Sequence, residues 1–403
     1  MNKSLSPMNI LIIPSWFGDS RSPNAGSFFK DEATLVAMNH NVVMMVFDKV
    51  IVPGTCDAKD NGITDSMEAE SVNNRLTVLR VKLPFYEDSS WDYNLRHFHS
   101  LVLHAFDNAY TGFKVDIIHA YATFWGGIFA HWISAAHNIP YIITEHFGPF
   151  NMDFLHSSYV RIEMKTAIEE STSFACVSSH LRQQILMQGI LRNPIVIGNY
   201  VNDELFQISR KVGDDILLLT VAYYPSYIKD LETLLEAYSI LVRHDFKFKA
   251  VIVGGGEIKG GFKGSNVIAD MVKKFDLAQH VQVIGAVLHS EIVEIMQKCS
   301  CYVCSSIAES FGVSICEAML CGKPCVITSN GGSMDFVNAD NAIIVDIHNP
   351  SELADGITQM IETKNRFNPD VIRQGIVEKY GTKSFTRKLN ELYIQTVDAY
   401  VQR

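Results

Sequence analysis

Short apolar runs alternate with amphipathic stretches along almost the whole chain. The first half contains the apolar runs MNILIIPSW, NVVMMVFD, VDIIHAYA and PYIITEH, with the helix-like stretches SFFKDEATLVAM and GGIFAHWISAAHN between them. Continuous apolar strands separated by helices are typical of a parallel sheet covered on both faces, because each strand is then buried on both sides. The pattern therefore predicts an α/β fold.

The alternation begins again after a polar connector near residue 205. The second half contains the apolar runs ILLLTVAYY, FKAVIVGGGE, VQVIGAV, CYVCSS and PCVIT, which alternate with the amphipathic stretches LETLLEAYSILVRH, VIADMVKKFDL and SEIVEIMQKC. Two doubly wound parallel sheets in tandem are the simplest account. We predict one Rossmann-like domain over residues 1–204 and a second over 205–380, facing each other across a cleft. A long amphipathic helix over 381–403 is predicted to pack back on the first domain.

One segment departs from this alternation. Between Gly54 and Asn74 the chain reads GTCDAKDNGITDSMEAESVNN, which is polar and shows neither the helical nor the strand period. A connection of this length without secondary structure is uncommon in a compact domain unless it is functional or disordered. We therefore predict a mobile loop there.

Composition and charge narrow the class of protein. The chain has 403 residues, 47% of them hydrophobic and 19% charged, so it is too long for one ordinary core and too apolar to be disordered. Its formal net charge of -10 argues against broad nucleic-acid binding, which needs an excess of Lys and Arg. Neither a secretory signal nor an apolar run of the roughly 18 residues that span a bilayer is recognisable, so we expect a cytoplasmic protein.

The chain contains eight cysteines, and three of them form the cluster Cys299, Cys301 and Cys304. A metal site is one interpretation of this cluster. The stretch CSCYVCSS, however, has the pattern of a buried strand in which cysteine acts as a small hydrophobic residue, and no histidine or cysteine pair at zinc spacing lies nearby. We therefore expect reduced thiols and no bound metal.

Two acids in the stretch IAESFGVSICEAMLCGKPCVIT are candidate binding residues. Glu309 follows the strand CYVCSS, and Glu317 is predicted about two turns into the helix that FGVSICEAML begins. Ligands bind at the carboxyl ends of the strands of open parallel sheets, and the start of a helix attracts phosphate. Gly312 would permit a close approach of the backbone there. Carboxylates beside a phosphate site are suited to accept hydrogen bonds from ribose and sugar hydroxyls, so the stretch suggests a nucleotide sugar. The alternative is that both are solvated acids near a helix end.

The same stretch carries a family resemblance. The segment from Glu309 to Glu317, ESFGVSICE, resembles the E-x7-E motif of the retaining GT-B glycosyltransferases of the large sucrose-synthase-like family, family four. Further segments resemble landmarks of that family and follow in its order along nearly the whole chain. They are PSWFGDSRSPNAGSFFKDEATLV, NIPYIITEH, CVSSHL, VNDELF, KDLETLLEAY, VIVGGGE, VQVIGAV and NGGSMDFV.

The resemblance implies roles for residues of the second domain. Glu317 would hold the ribose of the nucleotide, and Glu309 would lie at the donor sugar on the side of the leaving group. Lys229 would contact the diphosphate, where a fixed cation stabilises the charge that develops on the departing nucleotide. The start of the helix would supply backbone contacts to the donor from Ser310, Phe311, Gly312 and Val313.

In the first domain, the resemblance places Gly26 close to the phosphates and His146 near the transferred sugar. Each candidate also has a structural interpretation. Lys229 would otherwise be a surface lysine at a helix start, His146 a satisfied structural histidine, and Gly26 a residue that allows a turn. His119 is expected to help packing.

One departure from the family pattern concerns the diphosphate. The family commonly has Gly-Arg where this chain reads VAYY over 221–224, so the arginine that accompanies the lysine is missing. Lysine does not replace it fully, because a guanidinium binds two phosphate oxygens at once and stays charged. Either another cation substitutes, or the donor binds more weakly. Arg21, Lys259 and Lys263 are available in glycine-rich loops.

The resemblance implies transfer of a sugar from a nucleotide-diphosphate donor, UDP-linked or alternatively GDP-linked, with retention of configuration and without a metal or other cofactor. The acceptor would be a glycan or a lipid-linked oligosaccharide, as in bacterial lipopolysaccharide or capsule synthesis. Two alternatives remain: a catalytically silent nucleotide-sugar-binding partner subunit, which the missing arginine favours, and a nucleotide-sugar epimerase of the same architecture.

The acceptor is expected on the first domain, where aromatic and basic residues are frequent. Aromatic faces suit sugar stacking, and aromatic residues beside cations suit contact with an anionic membrane surface, so a peripheral position at the cytoplasmic face of the inner membrane is one interpretation. The other is packing of loops and core. These residues are Phe85, Tyr86, Trp91, Tyr93, Arg96, His97, Phe147, Phe150, Phe154 and Tyr159.

Overall fold

We analysed a computed structural model of the chain, which describes residues 6–18, 25–54, 67–109, 113–152, 157–209, 215–222, 227–254, 264–285 and 287–402. The strands of these residues form two separate sheets. Strands of the first half form one sheet, and strands of the second half form the other.

The first sheet has eight strands in the order β3-β4-β2-β1-β5-β6-β7-β8. All neighbouring pairs are parallel except β3 and β4, which are antiparallel. The strands are β1 (Asn9–Pro14), β2 (Asn41–Val52), β3 (Met67–Asn73), β4 (Leu76–Tyr86), β5 (Ile117–Tyr121), β6 (Tyr141–Glu145), β7 (Ser173–Cys176) and β8 (Ile195–Val196). The helices of this half are α1 (Ser27–Val36), α2 (Trp91–Ala109), α3 (Ile128–His137), α4 (Ser158–Glu170) and α5 (Ser179–Met187).

The second sheet has six strands, all parallel, in the order β11-β10-β9-β12-β13-β14. They are β9 (Leu217–Val221), β10 (Lys249–Val253), β11 (Val281–Ile284), β12 (Cys301–Cys304), β13 (Cys325–Thr328) and β14 (Ala342–Val345). The helices that follow α5 are α6 (Leu231–Arg243), α7 (Gly264–Lys274), α8 (His289–Lys298), α9 (Val313–Leu320), α10 (Pro350–Glu362), α11 (Pro369–Tyr380) and α12 (Thr382–Val401).

The strand orders confirm the α/β class and explain the apolar runs. All four residues of β13 are buried, and Ile10 to Ile13 of β1 are fully buried, because helices cover both faces of each sheet. The strand order reverses between β1 and β5 in the first sheet and between β9 and β12 in the second. Ligands bind outside the carboxyl ends of the strands at such reversals, so two particular edges of the fold are candidate binding regions.

Two sequence predictions need correction. The prediction of a loop over Gly54 to Asn74 is wrong for Met67–Asn73, which forms the edge strand β3; residues 55–66 lie outside the described part. Most side chains of β3 are exposed, so the strand has no apolar pattern, and its hydrogen bonds to β4 hold it in the sheet. In addition, α9 begins at Val313, so Glu317 is its fifth residue rather than two turns inside it.

The last helix, α12, lies against the first sheet. Its residues Phe385, Leu389, Leu392 and Tyr393 are buried in one apolar cluster with residues of β1 and β2. The Tyr393 hydroxyl is also within 2.9 Å of Nδ1 of His119, whose Nε2 lies 2.8 Å from the Thr144 hydroxyl. Both ring nitrogens of His119 therefore have structural partners.

The exact domain boundaries stay predictions.

Two further expectations concern the state of the cysteines and the presence of membrane-spanning helices. The described cysteines are free thiols and all are buried, and burial raises the pKa of the Cys299 thiol to about 12. In the part of the chain that the structure describes, no three His, Cys, Asp or Glu side chains group as metal ligands. None of the described helices combines the length and the apolar character needed to cross a bilayer.

Candidate active site

Lys229 and Glu309 form an ion pair at the reversal point of the second sheet. Lys229 ends a short 3-10 turn (Tyr227–Lys229) after β9, and Glu309 lies in the loop after β12. Lys229 Nζ donates to Glu309 Oε1 at 2.6 Å, and the Ser306 hydroxyl donates to the same oxygen at 2.7 Å. Burial by itself would lower the pKa of Lys229, but the charge and hydrogen bond of Glu309 together with the nearby Cys304 outweigh burial, and the pKa is raised.

Backbone contacts hold the two loops against each other. The Ser305 hydroxyl donates to the carbonyl of Lys229 at 2.8 Å, and the amide of Ile307 donates to the carbonyl of Ile228 at 2.7 Å. Two residues that are 80 positions apart in the sequence are therefore fixed side by side. The arrangement provides a cation and an acceptor at the end of β9 and β12, where a parallel sheet offers its binding edge.

The loop that carries Glu309 is also joined to the loop after β13. Glu309 forms a parallel bridge with Gly331, and the amide of Gly332 donates to the Glu309 carbonyl at 3.0 Å. A Cβ added at Gly332 would lie 2.4 Å from that carbonyl oxygen, so the backbones approach closer than any side chain permits. The NGGS segment thus fixes the backbone of Glu309.

The start of α9 supplies the next group of predicted residues. Gly312 precedes the helix with φ 97°, a left-handed conformation that glycine adopts without strain. The Phe311 ring is buried against Phe336 and Tyr380, with centroid distances of 5.3 and 4.9 Å, so any contact it makes with a ligand is through its backbone. Val313 is the first residue of α9. At the N-terminal end of a helix the backbone amides have no partner inside the helix, so they can bind an anion.

Glu317 takes part in a bridge that sequence reasoning missed. Its side chain is only 8% exposed, and its Oε1 lies 2.6 Å from Nε2 of His289, the first residue of α8. Nδ1 of the same ring lies 3.5 Å from Asp31 Oδ2 on α1, so one imidazole joins carboxylates of the first and second halves. Burial alone would lower the pKa of His289, but the hydrogen bonds and charges of Asp31 and Glu317 raise it to about 10. The ring is therefore a cation at neutral pH.

In the first half of the chain, Gly26 and His146 both lie beside the start of α1. Gly26 has φ 66°, and a Cβ there would lie 2.9 Å from the Trp16 carbonyl, so a turn and a close approach both require glycine. The α1 residues Phe28 and Phe29 place their rings 5.7 and 5.0 Å from the ring centroid of His146.

The His146 ring is buried and short of partners. Neither of its nitrogens makes a well-formed hydrogen bond, and neither does the nearby Asn199 carboxamide oxygen, which acts to raise the pKa of the ring. Burial dominates and lowers the pKa of His146 to about 3, so the ring is neutral at physiological pH. A neutral imidazole and a carboxamide with unused capacity can together bind a hydroxyl group.

The two halves of the predicted site meet at Ser310. Its carbonyl accepts a hydrogen bond of 2.6 Å from the Ser178 hydroxyl, which also caps α5 by accepting from the Leu181 amide. A Cβ on Gly148, two residues after His146, would lie 2.8 Å from the Ser310 hydroxyl oxygen. The structure therefore brings the loop of His146 against the loop of Glu309. Among the described residues, no hydrogen bond joins the side chains of His146 and Glu309, since both ring nitrogens of His146 lack a partner.

Most of the positions that bear on the missing arginine lie outside the described residues. They are Tyr223, Tyr224 and all three possible substitute cations, Arg21, Lys259 and Lys263. The second cation for a diphosphate therefore stays a prediction.

The chain was compared with known proteins. Residues 201–375 match the family "Glycosyl transferases group 1", and residues 34–205 match the family "Glycosyltransferase Family 4". The chain is 28% identical over 278 residues to the "Uncharacterized glycosyltransferase MJ1178" of Methanocaldococcus jannaschii, covering 68% of this chain and 72% of that protein. It is 22% identical over 289 residues to a component of the phosphatidylinositol N-acetylglucosaminyltransferase of Arabidopsis thaliana, covering 70% of this chain and 62% of that protein.

A solved structure agrees on the architecture. The crystal structure of Anabaena Alr3699/HepE in complex with UDP and glucose superimposes with a TM-score of 0.71, covering 96% of this chain and 99% of that chain at 17% identity. At this identity the likeness shows the shared fold. The prediction of two Rossmann-like parallel-sheet domains in the GT-B arrangement, with a long C-terminal helix, is confirmed. Residues 34–205 thus match a family 4 glycosyltransferase domain, residues 201–375 match a group 1 glycosyl transferase domain, and the chain has the GT-B glycosyltransferase fold.

Proposed function

We propose that this protein is a retaining glycosyltransferase that moves a sugar from a UDP-sugar, or alternatively a GDP-sugar, to a glycan or lipid-linked acceptor. The observation that carries the proposal is the Lys229–Glu309 ion pair at the reversal point of the second sheet, with Glu317 on the helix that follows. A nucleotide sugar needs a cation for its diphosphate and acceptors for its hydroxyl groups, and these three residues supply both.

In the proposed complex the diphosphate lies at Lys229 and at the start of α9. The ribose hydroxyls donate to Glu317, and a hydroxyl of the sugar donates to Glu309, which Ser306 holds in place. When the bond between sugar and diphosphate breaks, negative charge grows on the leaving phosphate oxygen, and the ammonium of Lys229 stabilises it. We propose that this fixed cation serves without a metal or other cofactor.

The side of attack determines the stereochemical outcome. If the acceptor hydroxyl attacks from the face that the nucleotide leaves, the new glycosidic bond keeps the configuration of the donor. The departing phosphate oxygen can then take the proton of the acceptor. On the first sheet's side, the neutral ring of His146 and the carboxamide of Asn199 are the proposed partners of a sugar hydroxyl, because both have unused hydrogen-bonding capacity.

The proposed donor and acceptor are supported by the ligands and names of similar proteins. UDP and glucose are bound in the Anabaena structure, which supports a UDP-sugar as the donor. The Arabidopsis relative is, by its name, one component of a phosphatidylinositol N-acetylglucosaminyltransferase, which supports a lipid-linked acceptor and contact with a membrane surface. A role in bacterial lipopolysaccharide or capsule synthesis is proposed on the motif resemblance alone.

The test is thermal stabilisation of the wild type and of Glu317→Ala by UDP, GDP, ADP and their sugars. A ligand that binds only the native state stabilises it by RT ln(1 + [L]/Kd), so the correct nucleotide raises the melting temperature. We expect a shift with UDP that is lost in Glu317→Ala and kept in Glu362→Ala, an exposed acid on α10. Absence of a shift with every nucleotide would contradict the proposal.

Binding alone does not distinguish an enzyme from a silent partner protein. The second arm therefore follows release of UDP from the UDP-sugar that stabilises the protein, with and without a membrane extract as acceptor. A transferase releases UDP faster when acceptor is present, and an epimerase releases none. Stabilisation without UDP release in either condition would support the silent partner.

A further inference from the structure

The first domain contains a largely apolar cavity at the reversal point of its own sheet. The cavity has a volume of about 370 Å³ and lies at the carboxyl ends of β1, β5 and β6. The apolar part of its wall includes the aromatic residues Trp16, Phe124, Trp125, Phe147 and Phe150 and the methionine Met164. By position, it is the counterpart in the first sheet of the region of Lys229 and Glu309 in the second.

One wall of the cavity is a strained loop. Ala122 has φ 65° and ψ 153°, and Trp125 has φ 72° and ψ -74°, conformations that residues with a side chain rarely adopt. Such strain persists only where the surroundings impose it, and it is concentrated at functional sites. The geometry of this loop therefore marks the cavity as more than a packing defect.

Glu145 imposes the shape of two walls. Its Oε2 accepts hydrogen bonds from the amide and the hydroxyl of Thr123, at 2.9 and 2.5 Å, in the strained loop. Its Oε1 accepts from the amides of His146 and Phe147, at 3.0 and 2.9 Å, in the opposite loop. One buried side chain thus holds both loops at a set separation.

Two polar side chains of the wall, Glu145 and Ser15, are already engaged in hydrogen bonds. Both oxygens of Glu145 have two donors each, and the Ser15 hydroxyl donates to the Ala122 carbonyl and accepts from the Gly126 amide, both at 3.0 Å. A sugar enclosed here would leave hydroxyl groups without partners, which is costly in a buried site. An apolar group would instead contact aromatic and methionine side chains. The cavity therefore favours a hydrocarbon or an aryl group over a sugar ring.

Lys49 adds one positive charge to this apolar wall. Its Nζ lies 4.6 Å from the centre of the Trp125 ring, and burial lowers the pKa of its ammonium to about 8, although Asp48 acts to raise it. Asp48 itself is bound to Arg80 by two hydrogen bonds of 2.8 Å. Within the described residues no carboxylate lies at ion-pair distance from Lys49, so its charge is available to an anion.

We propose that this cavity binds the acceptor, and that the acceptor is an amphiphile with an apolar group among the aromatic side chains and a phosphate-like anion at Lys49. The identification as acceptor presupposes the glycosyltransferase function proposed above. Trp91, which is 48% exposed, lies 5.8 Å from Trp125 and 5.9 Å from Phe124, ring centre to ring centre. An apolar chain longer than the cavity would continue along this ring.

The first experiment measures binding of three soluble probes by isothermal titration calorimetry, below the micelle concentration and without nucleotide. The probes are octyl phosphate, octyl β-glucoside and inorganic phosphate. We expect wild-type protein to bind octyl phosphate at least about tenfold tighter than either other probe, because only octyl phosphate carries both groups. Equal affinity for octyl phosphate and octyl glucoside would overturn the proposal.

Variants of the lysine test the role of its charge. Lys49→Gln should abolish the preference for octyl phosphate over octyl glucoside, and Lys49→Arg should keep it. Lys114→Gln, which removes an exposed lysine, controls for net charge and should also keep it. A full preference in folded Lys49→Gln would overturn the assignment. These measurements use no donor, so their failure is separate from a failure of the UDP experiment.

A vesicle arm distinguishes the two sources of the same chemistry. Wild type and Lys49→Gln are sedimented with phosphatidylcholine vesicles that contain or lack phosphatidic acid. Lysine-dependent binding to the phosphatidic acid vesicles would assign the ligand to a lipid. Lysine-dependent binding of octyl phosphate but not of vesicles would assign it to a free alkyl or aryl phosphate, and no lysine dependence with either ligand would contradict the proposal.

Discussion

Lys229 and Glu309 neutralise each other's charge through their ion pair. The 2.6 Å bond between them keeps a lysine and a carboxylate in a half-buried place where either charge alone would be unfavourable. A diphosphate that binds Lys229 would release Glu309 from this pair. Under the proposed function, a nucleotide sugar would replace this pair group by group.

The first prediction concerns the phosphate specificity of Lys229. Wild-type protein should bind UDP at least about tenfold tighter than uridine, since the phosphates meet a fixed ammonium, and Lys229→Met should bring the two affinities together. Calorimetric titration with both ligands measures the ratio. Lys273→Met, a change at an exposed lysine of α7, is the control and should leave the ratio unchanged. An unchanged ratio in Lys229→Met would remove this lysine from the diphosphate site.

At the scale of elements, α9 is a short helix with an exacting start. Gly312 begins it in a left-handed conformation, and a Cβ there would lie 3.0 Å from Ile315 Cδ1 and 3.4 Å from Ser333 Cβ. The same eight-residue helix carries Glu317. A change in the way it begins would therefore alter both the predicted phosphate contacts and the position of Glu317, the proposed acceptor for the ribose hydroxyls.

The second prediction compares two glycines. Gly312→Ala should lower the free energy of unfolding by about 1–2 kcal/mol, because alanine pays a steric penalty in the left-handed region. Gly375→Ala, at an exposed position inside α11 with no atom within 4 Å of the new Cβ, should raise it by about 0.5–1 kcal/mol. Urea denaturation measures both. Equal effects of the two substitutions would show that the start of α9 is not constrained as described.

At the scale of the whole molecule, contacts between distant parts of the chain include a bridge at the site and a hydrogen-bonded pair at the start of α12. The His289 ring bridges Asp31 on α1 and Glu317 on α9 across the halves of the chain. Away from the cleft, Asp203 accepts hydrogen bonds from the amide and hydroxyl of Thr382, where the chain returns to the first sheet as α12. The first contact includes Glu317, which is proposed to bind the nucleotide. The second joins the segment of Asp203, which leads into the second half, to Thr382, where α12 begins.

The third prediction is a pH dependence of stability. The pKa of His289 is raised from 6.5 to about 10 in the folded protein, so its stabilising contribution is complete below about pH 6.5 and is lost as pH rises towards 10. The difference in melting temperature between wild type and His289→Gln should therefore be largest at about pH 6.5 and just below, and shrink towards about pH 10.

Differential scanning calorimetry across this range measures the effect. Asp31→Asn, which removes one of the two carboxylates, should reduce the pH dependence without abolishing it, because Glu317 still favours the protonated ring. His244→Gln, at the end of α6, is a control that should retain the wild-type profile. A difference between wild type and His289→Gln that stays constant over the whole range would contradict the bridge.

Local pattern was sufficient for much of the second sheet and its site. Apolar runs predicted β9, β10, β12 and β13, because a central parallel strand is buried on both faces wherever its neighbours lie. Glu309 and Lys229 were selected from motif resemblance, and the structure places them in contact. Their roles as donor-binding residues stay predictions, as do those of Gly26, His146 and Glu317.

The amino-acid sequence by itself determined the α/β class, the two sheets and the region of the glutamates, since these follow from short-range periodicity and from residues close together in the chain. The tertiary structure decided which distant residues meet. The exposed strand β3 exists through its pairing with β4, the bridge of Asp31, His289 and Glu317 exists through the placement of two domains, and Glu145 organises a cavity that no local pattern reveals. Such contacts depend on how the elements pack, and packing is a property of the whole chain.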